Sequence, residues 1–177
     1  MIFVTGSSGY VGSALVPFIR ALDETIGVDL RPSDFTDWVM DIASSDFRKE
    51  LDKFADSEIL IVNLAAGKFD FGVEAEVYFR LNVLVHEQFL KSLESFRIKK
   101  FVHVSSVASI DGRKISYSSD LDCDDAYRST KFLQEKLIQD WCVKRNIELV
   151  MLFPSAIFST QARSDTNIGK MQKLSRF

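Results

Sequence analysis

Apolar positions change period along this chain in a regular order. Short, mostly apolar runs, Ile2–Val4, Thr25–Asp29 and Glu58–Ala66, have the length and β-branched content of buried parallel strands. Phe101–Ser106 and Ile147–Phe153 have the same character, and Asp37–Ile42 predicts a further short strand. Between the runs, apolar residues recur at helical spacing. Leu15, Val16, Ile19 and Leu22 form one stripe, on a helix that carries Pro17 and should kink there or lose a hydrogen bond. Ser45 is placed to cap a short helix through Phe54. Val77, Leu81, Leu84, Phe89, Leu93 and Phe96 stripe a long helix over about 73–96. Leu133, Leu137, Ile138 and Trp141 stripe another over about 124–144, where Asp124 and Asp125 favour the start. Lys99-Lys100 read as a solvated loop before the fifth strand. Six strands alternating with helices predict a doubly wound α/β sheet of parallel strands, a Rossmann fold in the order 3-2-1-4-5-6.

The connection after the first strand is chemically specific. Gly6, Gly9 and Gly12 punctuate Thr5-Gly-Ser-Ser-Gly-Tyr-Val-Gly12 between a strand and a helix. Such a turn lets backbone approach a pyrophosphate and aims free N–H groups and the helix dipole at it. Asp29 ends the second strand, where a carboxylate accepts from both hydroxyls of an adenosine ribose and repels a 2′-phosphate. Arg31, two residues on, is a side chain that tolerates such a phosphate.

A second group gathers at the carboxyl end of the fifth strand, where ligands of open α/β sheets bind. Ser105 and Ser106 close the fifth strand, and Tyr127 and Lys131 stand four apart on one helix face. A phenol of ordinary pKa near 10 is a poor base at neutral pH, and a nearby ammonium lowers that value. The trio is therefore fitted to take a proton from a hydroxyl while a nicotinamide accepts hydride.

Composition narrows the partners. With 177 residues, 46% hydrophobic and 27% charged, the chain can bury one core. A net charge of −3 and the lack of a basic stripe argue against nucleic acid. No apolar run spans a bilayer, and Met1 leads straight into the first strand, so a cytoplasmic protein without a leader or membrane contact is expected. Cys123 and Cys142 make no disulfide framework, and Cys142 reads as a core residue. His86 and His103 have no companions suited to a metal.

The chain resembles the extended short-chain dehydrogenase/reductases, in the family of NAD-dependent sugar-nucleotide epimerases and dehydratases. The resemblance rests on the glycine turn, Asp29, Asp41-Ile42, Asn63-Leu-Ala-Ala66, Asn82, Ser105-Ser106, Tyr127 to Lys131 and Leu152-Phe-Pro154. It implies NAD as cofactor, held by Gly6, Ser8, Gly9, Tyr10, Val11 and Gly12 of the turn and by Asp29, Leu30 and Arg31. It implies that Asp41 and Ile42 bracket the adenine and that Leu64, Ala65 and Ala66 line the groove. Asn82, Ser105, Tyr127, Lys131 and Pro154 complete the cofactor contacts, with Ser106, Tyr127 and Lys131 catalytic. The implied substrate is a nucleoside-diphosphate sugar, epimerised through a transient ketone. A reductase or 3β-hydroxysteroid-type dehydrogenase, and a non-catalytic dinucleotide-binding module, are the alternatives. The resemblance further implies a homodimer through the two long helices.

Phe153 stands where the family commonly has arginine, and Val107-Ala108 follow Ser106 where the 4,6-dehydratases carry an Asp-Glu pair. Family members continue into a seventh strand and a smaller substrate lobe. The chain is accordingly divided into a dinucleotide-binding domain over 1–160 and the truncated start of a substrate region over 161–177.

Overall fold

The computed structural model describes residues 1–155 and 157. Its centre is β1 (Ile2–Thr5), which pairs in parallel with β2 (Thr25–Asp29) on one side and β4 (Glu58–Asn63) on the other. β3 (Trp38–Val39) flanks β2, while β5 (Arg97–Val104) and β6 (Glu148–Leu152) extend the sheet beyond β4. The order is β3-β2-β1-β4-β5-β6, as the alternation of periods predicts. Chain order reverses between β1 and β4, which opens a crevice at the carboxyl ends of these two strands.

Side chains of β1 alternate between the two layers. Phe3 joins Phe47, Ile61, Phe89, Leu93, Phe101 and Ile138 on one face, and Val4 packs with Val16 and Val62 on the other. Helix α1 (Tyr10–Arg20) covers the second face and carries Pro17 within it. The first face is covered by α2 (Ser45–Leu51), by a long helical segment, and by α6 (Cys123–Lys144). That segment comprises α3 (Ala75–Phe79), a π turn (Arg80–Leu84) and α4 (Val85–Ser92). A short helix, α5 (Ala108–Gly112), packs on α6 and is not announced by periodicity. Chain 161–177, expected to begin a second region, lies outside the described residues.

Several boundaries depart from the sequence expectation for identifiable reasons. β3 has two residues rather than six because the Asp37 carboxylate takes the Gly27 N–H at 2.7 Å and Asp41 takes the Ala43 N–H at 2.8 Å. Ser44, not Ser45, caps α2, accepting from the Phe47 N–H at 3.1 Å. β5 starts four residues early and includes Lys99 and Lys100, which pair across the sheet with Glu58 and Glu148. Ser105 and Ser106 consequently lie just past its end.

The largest difference is on α6. Leu133, Leu137 and Trp141, expected to face inward, are only half-buried. The deeply buried positions are Lys131, Gln134, Glu135, Ile138 and Cys142, so the core face of this helix is polar for more than one turn.

Candidate active site

The crevice is built from the glycine turn. Gly6 leaves β1 with a φ of +73°, a conformation that disfavours any side chain. A Cβ there would also lie 2.9 Å from the Ala65 nitrogen. At Gly12 a Cβ would fall 2.2 Å from the Gly6 carbonyl oxygen, so the absence of a side chain lets α1 sit on the turn. Gly9 is different: a Cβ would approach only Gly6, leaving its outer side free. α1 then starts with no side-chain cap, so its first N–H groups remain free to meet an anion.

Asp29 is fixed from two directions. Its Oδ2 accepts from the Ser8 N–H at 3.1 Å and its Oδ1 from the Arg31 N–H at 3.0 Å. A carboxylate has about four acceptor directions, so two remain for a ligand. The adjoining cavity, about 340 Å³, is lined by Gly6, Gly9, Asp29, Leu30, Arg31, Asp41, Ile42, Leu64, Ala65 and Ala66. Val28, Met40, Leu81, Val85 and His86 complete its wall and are residues that sequence reasoning did not place there.

Other expected cofactor contacts stand elsewhere. The hydroxyls of Ser8 and Tyr10 are buried without a partner, and Val11 and Gly12 lie in the first turn of α1. The Pro154 carbonyl accepts from the Val107 N–H. Asn82 does not face the cavity. It is fully buried, its Oδ1 accepting from the Gly67 N–H at 2.7 Å and its amide donating to Thr130 Oγ1 at 3.1 Å. It ties the loop after β4 to α6.

The second group assembles where β5 meets α6. The Ser106 hydroxyl accepts from the Ala108 N–H at 3.2 Å and lies close enough to the Tyr127 phenol to lower its pKa. Tyr127 is held edge-on by Phe69 and Tyr78, each with ring centroids 5.7 Å away. The hydroxyl of Tyr78 anchors both the N–H and the carbonyl of Asp70, fixing the loop that carries Phe69. Burial raises the phenol pKa of Tyr127 above its ordinary value, the Ser106 contact opposes this, and Tyr78 adds to it.

Lys131 does not lower that value as its spacing from Tyr127 led us to expect. Its ammonium is fully buried and turned to the Gln134 carbonyl oxygen. Burial holds its pKa down at about 8, against the opposing pull of the Glu135 carboxylate. Glu135 in turn accepts from the Ser105 hydroxyl, so Ser105 also points inward.

A family model described as the NAD dependent epimerase/dehydratase family matches residues 2–176. The chain belongs to this family. No curated protein matches the chain. Among solved structures, UDP-glucuronic acid 4-epimerase from Bacillus cereus in complex with NAD superposes with a TM-score of 0.73 at 21% identity, covering 99% of this chain and 63% of that one. A short-chain dehydrogenase/reductase superfamily protein from Agrobacterium tumefaciens with bound NAD gives 0.66 at 25% identity, covering 86% and 48%. L-threonine dehydrogenase from Phytophthora infestans gives 0.72 at 17% identity, covering 92% and 55%. The chain thus spans about six-tenths or less of the length of these relatives in fold.

NAD is the cofactor of the NAD dependent epimerase/dehydratase family, and the residues present fit it. The turn leaves room at Gly9, the helix start is uncapped, and Asp29 retains acceptor capacity toward an unphosphorylated ribose. Among the described residues no cluster of three or more His, Cys, Asp or Glu is placed to hold a metal ion, and no helix is long and apolar enough to cross a membrane.

Gln134 and Glu135 carry only a partial sequence signal, their spacing three and four residues after Lys131 on the same helix face, because the partners that bury them are distant in the chain. Phe69, Tyr78 and His86 carry no such local signal.

Proposed function

We propose that this protein is an NAD-dependent epimerase acting on a nucleoside-diphosphate sugar through a transient ketone. The observation that carries the reading is the convergence of Ser106 and Tyr127 past the end of β5, with Lys131 one turn along the same helix. NAD held by the glycine turn, the α1 N-terminus and Asp29 would supply a hydride acceptor for a ring carbon and, once reduced, the donor that restores it. Tyr127 removes the proton of the hydroxyl on that carbon, and Ser106 holds the same oxygen by a hydrogen bond. The ketone turns over, and Tyr127 gives the proton back when hydride returns on the other face.

The phenol's raised pKa in this state suits the proton-donating half. The base-forming half needs positive charge brought near it, which Lys131 can supply from one turn away. UDP-sugar epimerases among the relatives in fold support this substrate class. A reductase using NADP is the second reading, supported by Arg31, whose Nε lies 3.9 Å from Asp29 with the side chain 60% exposed.

A panel of UDP- and dTDP-sugars incubated with NAD and the purified protein tests the reading. The expected result is interconversion of epimers without net NADH, lost in Tyr127→Phe while NAD still binds. No product and no NADH from any sugar refutes it. The same reading pairs two copies through the long helical segments. Leu84, exposed on the first of these segments, supports that arrangement, and sedimentation velocity tests it.

A further inference from the structure

Beneath Tyr127 runs a buried hydrogen-bond chain that the proposed chemistry does not use. The Lys131 ammonium donates to Gln134 Oε1. The Gln134 amide N–H₂ lies 2.8 Å from His86 Nε2, and His86 Nδ1 lies 3.2 Å from the Leu81 carbonyl oxygen in the π turn. Lys131 is 2% exposed, and Gln134 and His86 have no exposed surface.

The directions of donation follow from the first link. An ammonium only donates, so Gln134 must present its oxygen to Lys131 and its N–H₂ to His86. His86 Nε2 must then accept, which leaves Nδ1–H to donate to Leu81. This requires a neutral imidazole, and burial beside the lysine charge lowers the His86 pKa to about 3. The Gln134 amide also reaches the Ala65 carbonyl oxygen at 3.4 Å and lies 3.2 Å from His86 Nδ1, so the ammonium fixes which end of the glutamine faces it, and the Leu81 carbonyl selects the Nδ1–H form of His86.

We propose that Gln134 is a positioning residue for Lys131, locked in orientation by His86, so that this chain sets where the lysine ammonium sits beside Tyr127. His86 lies at the back of the cofactor cavity and joins the long helical segment to α6. The inference rests on the epimerase reading only for its consequence in turnover. The ionisable groups facing the ammonium are Glu135 from its own helix, His86 from α4 and His103 from β5. Both histidines are held neutral by burial, so Glu135 is the sole counter-charge and Gln134 the sole hydrogen-bond acceptor found for the ammonium among the described residues.

The test is the titration midpoint of Lys131, followed by NMR on lysine-labelled full chain, with Lys131→Met identifying the resonance. Gln134→Glu sets a carboxylate against the ammonium and should raise the midpoint by about one pH unit or more. Gln134→Leu removes the acceptor and should lower it by a similar amount, about one pH unit. His86→Phe removes the group that holds the far end of the glutamine amide, so the acceptor facing the ammonium is less firmly placed and the midpoint should also fall, by less than in Gln134→Leu. His86→Phe serves in place of either glutamine variant that does not fold.

Opposite movements in the two glutamine variants, or a fall in His86→Phe, support the proposal. Folded variants with an unmoved lysine midpoint overturn it, even where melting temperatures drop, because loss of packing alone leaves the titration in place. The pH profile of epimerisation should shift in the same directions. If no variant and no wild-type protein turns over any sugar, the epimerase reading fails while the titration still decides the role of Gln134.

Discussion

Replacing Lys131 by methionine gives a quantitative test of how the site is assembled. Burial holds the Lys131 ammonium at a pKa of about 8, against 10.5 when exposed. Below about pH 8 both folded and unfolded chains are protonated, and the folded state carries the full cost of a buried charge. Between about 8 and 10.5 the unfolded chain binds more protons, so stability rises with pH across that window. Going from about pH 7 to about pH 9.5 should therefore recover about 2 kcal/mol of unfolding free energy.

Cys142 works in the opposite sense. Burial pushes its thiol from 9.0 up to about 11, so its contribution is present below pH 9 and is lost as pH rises toward 11. It is common to both proteins and cancels in their difference. Urea unfolding of wild type and Lys131→Met at a series of pH values gives that difference directly. The curve for wild type minus variant should climb by about 2 kcal/mol over the interval. Its absolute height also contains the acceptor left bare on Gln134, which costs about 1–3 kcal/mol, so the slope is the diagnostic. Parallel curves would show that Lys131 is not held as a suppressed base, and the account of the buried chain would fall with it.

Other substitutions probe separate parts of the site. Gly12→Ala drives a methyl to 2.2 Å from the Gly6 carbonyl oxygen and 2.7 Å from the Ser7 Cα, both backbone atoms. It should cost about 2–3 kcal/mol in urea unfolding and weaken NAD binding, and an unchanged midpoint would refute the close packing of α1 on the turn. Asn82→Leu strands the Gly67 N–H and loses the Thr130 contact, for a loss of about 1–3 kcal/mol measured by thermal unfolding. Asp29→Ala should weaken NAD about tenfold or more by calorimetry while leaving NADP less affected, and equal losses for both would remove Asp29 from cofactor choice.

What the sequence discloses is what depends on near neighbours. The glycine turn and the strand ending at Asp29 are local patterns and take their expected places, and Tyr127 and Lys131 lie on one helix as spaced, although the lysine turns to Gln134. Lys99 and Lys100 mislead because their charges suggest solvent, whereas Glu58 and Glu148 on neighbouring strands neutralise them within the sheet. Trp38, Met40 and Ile42 alternate as a strand would, yet the carboxylates on either side of Trp38 to Met40 capture backbone N–H groups and end the pairing.

The polar face of α6 is the deeper failure of reading by hydrophobicity. Gln134 is buried because His86 meets it from 48 residues away, and Glu135 because Ser105 meets it from 30. No window of sequence contains both partners. A helix stripe drawn from apolar residues alone therefore finds Ile138 in the core, with Leu137 and Trp141 packed against it, and passes over the buried polar residues Lys131, Gln134 and Glu135.

The π turn at Arg80–Leu84 has a consequence of its own. A π turn accommodates one residue more than the α-helical turn it interrupts, and each residue advances an α-helix by about 100°. The helix on either side is thus two rotational phases joined by a single extra residue. One phase presents Tyr78 to the Tyr127 ring, and the other presents His86, Phe89 and Leu90 to the sheet. Shortening this segment by one residue would leave a straighter, more regular helix whose two halves could not both keep their faces. Local regularity and correct assembly are in conflict at this one turn, and assembly prevails.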